Sequence, residues 1–572
     1  MIYSSNKKNR MKAKLKKNIL FIMFDQLRFD YLSCYGHPTL HTPNIDSIAK
    51  KGIKFTNAYV QSPVCGASRM SYYTGRYVHS HGAAYNNFPL KVGEQTLGDH
   101  LRKIGVNTWL IGKTHMKVDS EGLSRLGIKQ DSVIGARIAE CGFDIFVRDD
   151  GLWAEGPDGF YCNLDSPYNE YLKSRGYSGE NPWASHANAG LTDEEELASG
   201  WFMKNARLPA NIHEGDSETP WLTTQMIDFL KLENEKDPNK RKPWLVHLSY
   251  IKPHWPYIVP APYHSMYNPE DILPAVRKES ETGQGAHPIY KAFTENIIGK
   301  AFQKDEVRKE VIPAYMGLIK QCDDQMGRLF KYMENNGFKE NTMIVICSDH
   351  GDYLGDHWLG EKDLFHEPSV KTPLIIYDPS SNADATRGTT NNELVESIDL
   401  AATFIDYQKE PIPNHILEGR SLLPFLYNSQ IENWRKFVVS EYDYSTSGIP
   451  EKLNVATKDA RLFMIFDGRY KLIHAQGGFL PMLFDLKTDP KELNDLGSGK
   501  DINEEITKHL DRLYGYLAEW ARRSSQRNTL SDKEVEIMRG KGPSRGITLG
   551  LFDGTEIDQK FHVKYRGKGT RI

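Results

Sequence analysis

Short, wholly apolar runs recur along the chain, each closed by polar or glycine-rich residues and flanked by segments of helical periodicity. Asn18–Phe24 predicts a strand and Thr42–Lys51 a helix, while Gln95–Lys103 predicts a helix leading to a strand at Thr108–Gly112. Trp221–Asn234 and Trp244–Tyr250 repeat the helix-then-strand order, and a long helix over Pro313–Asn336 leads to strands at Thr342–Cys347 and Pro373–Tyr377. Runs such as Met343-Ile344-Val345-Ile346-Cys347 have no polar face, so helices must cover both sides of the sheet they form. The chain reads as α/β with a largely parallel central sheet. Val118 to Asn211 is loop-rich and predicts no definite elements. Past Leu422 the period shortens: Lys436–Glu441, Arg461–Phe466, Tyr470–Ile473 and Met482–Asp485 read as short strands, followed by a helix over Glu504–Arg522. The expected organisation is a basic extension (1–17), a large α/β domain (18–425), a small α+β domain (426–520) and an arm (521–572).

Composition narrows the function. With 572 residues there is room for about two to four folding units. A net charge of −3, from 72 Lys and Arg against 75 Asp and Glu, argues against bulk attraction to nucleic acid or an anionic membrane. No apolar run approaches the roughly 18 residues of a membrane span. The basic N-terminal stretch precedes Ile19–Phe24, a run too short for a signal peptide that ends in Asp25-Gln26 without a cleavage site; it reads as a buried first strand. Six cysteines do not make a disulfide framework in a chain of this length, so a reducing, cytoplasmic setting is expected. The arm carries twelve Lys or Arg against six Asp or Glu and reads as a segment that needs a partner surface.

In parallel sheets ligands sit beyond the carboxyl ends of the strands. The polar residues there are Asp25-Gln26, Lys113-Thr114-His115, Lys252-Pro253-His254 and Asp349-His350. Asp25, Gln26, Asp349 and His350 together would suit one divalent cation of the Mg, Ca or Mn type. Singly, an Asp-Gln pair is usually a loop cap or solvated turn and Asp349-His350 reads also as a simple turn, and spacing alone does not decide. Cys65, followed by small residues opening a helix, is either a thiol whose helix dipole and Arg69 favour an anion, or a plain buried cysteine.

Cys65-Gly66-Ala67-Ser68-Arg69, with Thr74-Gly75-Arg76 behind it, resembles the motif of the formylglycine-dependent sulfatase family, in which the cysteine is converted to Cα-formylglycine. Gly112-Lys113-Thr114-His115, Lys252-Pro253-His254-Trp255-Pro256 and Ser348-Asp349-His350-Gly351, with Lys362 downstream, are similar to its other blocks, in family order from Asn18 to about Asp495. Asp25-Gln26, His350, the continuation Arg76 to Gly82 and Asn86 make it most similar to the phosphonate monoester hydrolase and phosphodiesterase branch of the alkaline phosphatase superfamily. Ala67 departs from the usual Pro; the oxygen-dependent maturase prefers that Pro and the radical maturase accepts Ala, so conversion depends on the host.

The resemblance implies an alkaline-phosphatase-like core and a hydrolase cleaving phosphonate monoesters or phosphodiesters through a covalent hemiacetal ester. It implies metal ligation by Asp25, Gln26, Cys65, Asp349 and His350, one divalent ion (Mn2+, Ca2+ or Mg2+), and positive charge from Arg69, Lys113 and Lys362. His115 would be the base and His254, with Lys362, the group serving the leaving oxygen; Asn86 and Thr114 would bind substrate. The expected partners are a small anionic ester, a formylglycine-generating maturase and further copies of the chain, as a dimer or tetramer joined through the arm. The rival readings are a sulfate monoester hydrolase, an anion-binding protein with unmodified Cys65, and a two-metal phosphatase, for which the chain shows only one convincing ligand set.

Overall fold

The computed structural model describes residues 17–151, 166–499, 502–523, 530–541 and 555. The basic extension up to residue 16 and most of the 521–572 arm lie outside the described residues. Eight strands form the main sheet: β1 (Asn18–Asp25), β2 (Ile53–Tyr59), β3 (Asn107–Gly112), β4 (Asp144–Arg148), β5 (Trp244–Pro253), β6 (Thr342–Ser348), β7 (Leu374–Tyr377) and β8 (Thr389–Glu396). Their spatial order is β8-β2-β7-β6-β1-β5-β3-β4. β7 runs antiparallel to both neighbours, and the other pairings are parallel.

The absence of a polar face on β1 has a direct cause. Ile19, Phe21 and Met23 enter one hydrophobic cluster, and Leu20, Ile22 and Phe24 enter another on the opposite side of the sheet. Each such side chain stabilises the fold by about 1.5–3 kcal/mol on burial, so neither face tolerates a polar residue.

A second sheet joins Val438–Asp443, Arg461–Phe466, Tyr470–Ala475 and Met482–Asp485 in antiparallel order. Val438, Tyr442, Leu462 and Met464 on one face share the cluster that holds Phe21. Val439, Ile465, Leu472 and Leu483 on the other are covered by Leu513 and Trp520 of the helix Glu504–Ala521. The small sheet is thus fused to the large one through a common core. The five described cysteines are free thiols, and no described helix is long and apolar enough to cross a membrane.

Several elements differ from the sequence expectation. β4 lies in the stretch where none was expected; its residues are mostly half-buried at the sheet edge, which weakens the apolar signal. The long helix spans Asp305–Asn335 with Pro313 inside it, rather than beginning at that proline. Burial of Val311, Ile312, Ala314 and Tyr315 around the proline offsets the backbone hydrogen bond it cannot make. β8, the edge strand, and β2 beside it carry polar residues such as Asn391, Asn392, Lys54 and Thr56.

The strand order positions the chemistry. β6, β1, β5 and β3 are consecutive and parallel, so their carboxyl ends deliver Asp349-His350, Asp25-Gln26, His254 and Lys113 to one region. The turn out of β3 depends on Gly112, which has φ 105° and leaves its Cα so close to β5 that a Cβ would lie 2.0 Å from the Ser249 carbonyl oxygen. Gly112→Ala is expected to lower unfolding stability by about 2–4 kcal/mol. An unchanged urea midpoint would contradict this packing.

Candidate active site

Cys65 opens the helix Cys65–Thr74, whose ten residues are all buried. Its Sγ, a carboxylate oxygen each from Asp25 and Asp349, and a ring nitrogen of His350 all lie within 4.8 Å of one another. Sγ is 2.9 Å from His350 Nε2 and 3.7 Å from Asp25 Oδ1. Four of the residues expected to share a cation, from three chain-distant segments, are therefore brought together.

The two carboxylates divide their oxygens. Asp25 Oδ2 pairs with Lys113 Nζ at 2.7 Å and Arg69 Nη2 at 3.1 Å, while Oδ1 faces the cluster, 3.8 Å from His350 Nε2. Asp349 Oδ2 takes Arg69 Nε at 2.7 Å, and Oδ1 accepts the backbone N–H groups of Gln26 and His350, each at 3.0 Å. Arg69 Nη1 donates to Ser249 Oγ at 2.8 Å and to the Lys113 carbonyl at 3.1 Å. Arg69 is fully buried, and these bonds engage its guanidinium on all three nitrogens. Expected as part of the charge that meets the substrate, it instead holds the ligand carboxylates in place.

Electrostatics follow this crowding. Burial alone would raise the Cys65 thiol, but Lys362, His350 and Lys113, with a hydrogen bond from His115, hold it well below the usual thiol range. Burial and Cys65 push Asp25 up, and Lys113, His254 and Arg69 outweigh them, keeping the carboxylate ionised. Burial opposes charge on His350, yet Asp349 and Cys65 raise it to about 9. The anionic field that retains a proton there suits a cation equally. His350 Nδ1 lies 2.8 Å from the Gly351 carbonyl, which places the ring N–H on that side and turns the Nε2 lone pair toward the cluster when the imidazole is neutral. Two carboxylates, a sulfur and an oriented imidazole make a donor set that fits a divalent ion.

Gln26 adopts φ 63°. Its Oε1 accepts from Lys362 Nζ at 2.8 Å, and its Nε2 donates to Asp352, to Tyr257 at 3.2 Å and to Glu361 at 3.3 Å. One amide-oxygen lone pair thus holds Lys362 and the second remains for a cation. His254 Nδ1 is 2.7 Å from the Trp255 carbonyl, so its Nε2 is the acceptor for Lys362 Nζ at 3.2 Å. Burial and Lys362 lower His254 to about 4, and Cys65, Glu361 and Asp25 keep the buried Lys362 charged. Between the two, the proton is on the Lys362 ammonium and His254 meets it as the acceptor.

Two expected substrate-binding residues have other work. Thr114 is fully buried; its hydroxyl donates to Glu140 Oε2 at 2.9 Å, so it anchors its loop instead of meeting a ligand. Asn86 Oδ1 accepts the Gly66 N–H at 2.8 Å and caps the helix start, leaving Nδ2 as its means of meeting an anion. Sequence reasoning missed Ser249, Asp352, Glu361, Tyr257 and Asp150. The strand-end rule would have reached Asp150, two residues past β4, had that strand been legible.

The sulfatase family model matches residues 17–408, and the model for the N-sulphoglucosamine sulphohydrolase C-terminal region matches residues 355–517. The chain is 31% identical over 505 residues to the multifunctional alkaline phosphatase superfamily protein PehA of Trinickia caryophylli, covering 84% of this chain and 91% of that protein. It is 30% identical over 501 residues to an arylsulfatase of Clostridium perfringens, covering 86% and 92% respectively. Among solved structures, the phosphonate monoester hydrolase SpPMH from Silicibacter pomeroyi aligns with a TM-score of 0.76 at 26% identity, covering 91% of this chain and 98% of that one.

Proposed function

The chain belongs to the sulfatase family of ester-bond hydrolases, and from that premise we propose that it cleaves phosphonate monoesters and phosphodiesters. The observation that carries the chemistry is the buried convergence of Asp25, Cys65, Asp349 and His350 beside Lys113 and Lys362. When bound there, with Cys65 converted to formylglycine, a divalent ion would neutralise the ester anion and lower the pKa of the hydrated aldehyde's hydroxyl to that of a usable nucleophile.

The remaining roles belong to side chains in place. Asp25, Asp349 and His350, with the spare lone pair of Gln26, would hold the ion, and Arg69 keeps the two carboxylates apart and aimed. Lys113 and Lys362 add positive charge where an anionic ester must settle, and in a buried site such charge acts at low dielectric. Lys362 gives its proton toward the leaving oxygen while His254 fixes its ammonium. His115, whose imidazole reaches Cys65, is the base.

The choice of ester is supported by the likeness to SpPMH over nearly the whole of that chain and to PehA. A sulfate monoester is the second reading, supported by the arylsulfatase of similar identity. Nitrophenyl esters of a phosphonate, a phosphodiester and a sulfate, compared on one preparation, decide between them. The expected result is a kcat/KM at least about tenfold higher on the phosphorus esters, a difference of about 1.4 kcal/mol in transition-state binding. A tenfold preference for the sulfate would reverse the assignment.

A further inference from the structure

We propose that Asp150, braced by Arg148 and Glu140, is a positioning residue for His115. The inference rests on the reading of His115 as the base. Asp150 Oδ1 accepts two successive backbone N–H groups, from Thr114 at 2.8 Å and from His115 at 3.3 Å. Asp150 Oδ2 pairs with Arg148 Nη2 at 2.5 Å, Arg148 Nη1 reaches Glu140, and Glu140 Oε2 accepts the Thr114 hydroxyl at 2.9 Å. These contacts close a ring on Thr114, gripping its backbone and its side chain together.

The loop needs such a grip. His115 has φ 54° and Gly112 φ 105°, so Lys113-Thr114 is bracketed by two left-handed residues. A non-glycine residue in that region costs about 1–3 kcal/mol unless its surroundings impose it. The imidazole itself has no brace from behind among the described residues, where its buried Nδ1 finds no hydrogen-bond partner. A catalytic histidine is commonly aimed by a carboxylate on that nitrogen. Here the carboxylate acts one step earlier, by fixing the two peptide planes from which the side chain departs. Burial would raise Asp150, but Arg148, His115 and Lys113 outweigh it and keep the acceptor ionised.

A double-mutant cycle with His115 tests the assignment, using steady-state kinetics on the preferred ester and a melting curve for each variant. Asp150→Ala is expected to lower kcat by about 10- to 100-fold with KM changed less than about threefold, the signature of misplacing a reacting group. Asp150→Asn, which keeps an oxygen for both amides, is expected to recover most of that loss. In a His115→Ala background, Asp150→Ala should change kcat by less than about twofold. Where Asp150→Ala does not give folded protein, Asp150→Ser takes its place in the same cycle. A full Asp150 effect persisting without His115, or a loss confined to KM, would overturn the proposal. Wild-type kcat in His115→Ala would instead remove the base reading beneath it, so the two failures are distinguishable.

Discussion

Cys65→Ala should lower kcat by about 10^4-fold or more while leaving the melting temperature close to that of the parent. The activity loss follows from the position of residue 65, whose side chain is the one group in the cluster able to become a nucleophile after oxidation. The stability expectation follows from charge. Residue 65 sits among Asp25, Asp349 and His350, and alanine there adds neither charge nor bulk to that cluster while leaving a helix-compatible residue at the start of Cys65–Thr74. In the parent enzyme from its native host, the tryptic peptide Phe55–Arg69 should carry an aldehyde, detected by its mass and its reaction with hydrazides. Residual turnover above about a hundredth of the parent rate would place the nucleophile elsewhere.

Arg69→Ala should have its largest effect on folding. The guanidinium is fully buried and neutralises two buried carboxylates at 2.7 and 3.1 Å, while also holding Ser249 and the Lys113 carbonyl. Removing it leaves Asp25 and Asp349 facing each other, with Asp25 still paired to Lys113 and Asp349 without its salt bridge to a guanidinium. Breaking a buried pair of this kind costs about 3–5 kcal/mol. Urea unfolding measures that loss, and elemental analysis should show less bound divalent metal, because the carboxylates are no longer aimed. Arg69→Lys should restore only part, since an ammonium cannot span both carboxylates in the manner of a planar fork. Parent-like stability in Arg69→Ala would mean that the two acids are balanced by other charges.

Much of this site was legible before any fold. The apolar runs with no polar face, as in β1 and β6, required a covered parallel sheet, and the rule that ligands gather at strand ends selected Asp25, Lys113, His254 and Asp349 from among many polar residues. The ordered motifs then attached Cys65 and Lys362 to the same site. Those signals are local: they depend on residue type, period and spacing along the chain. Only the tertiary structure decided which atom faces which. It turned Arg69 into the brace of two ligand carboxylates, gave the Thr114 hydroxyl to Glu140, and made His254 the acceptor for the Lys362 ammonium. It also revealed β4, whose half-buried residues carry little pattern, and with it Asp150. The physical reason is that hydrogen bonds are directional and short, so a role settled by ångströms and angles between chain-distant groups leaves no period in the sequence.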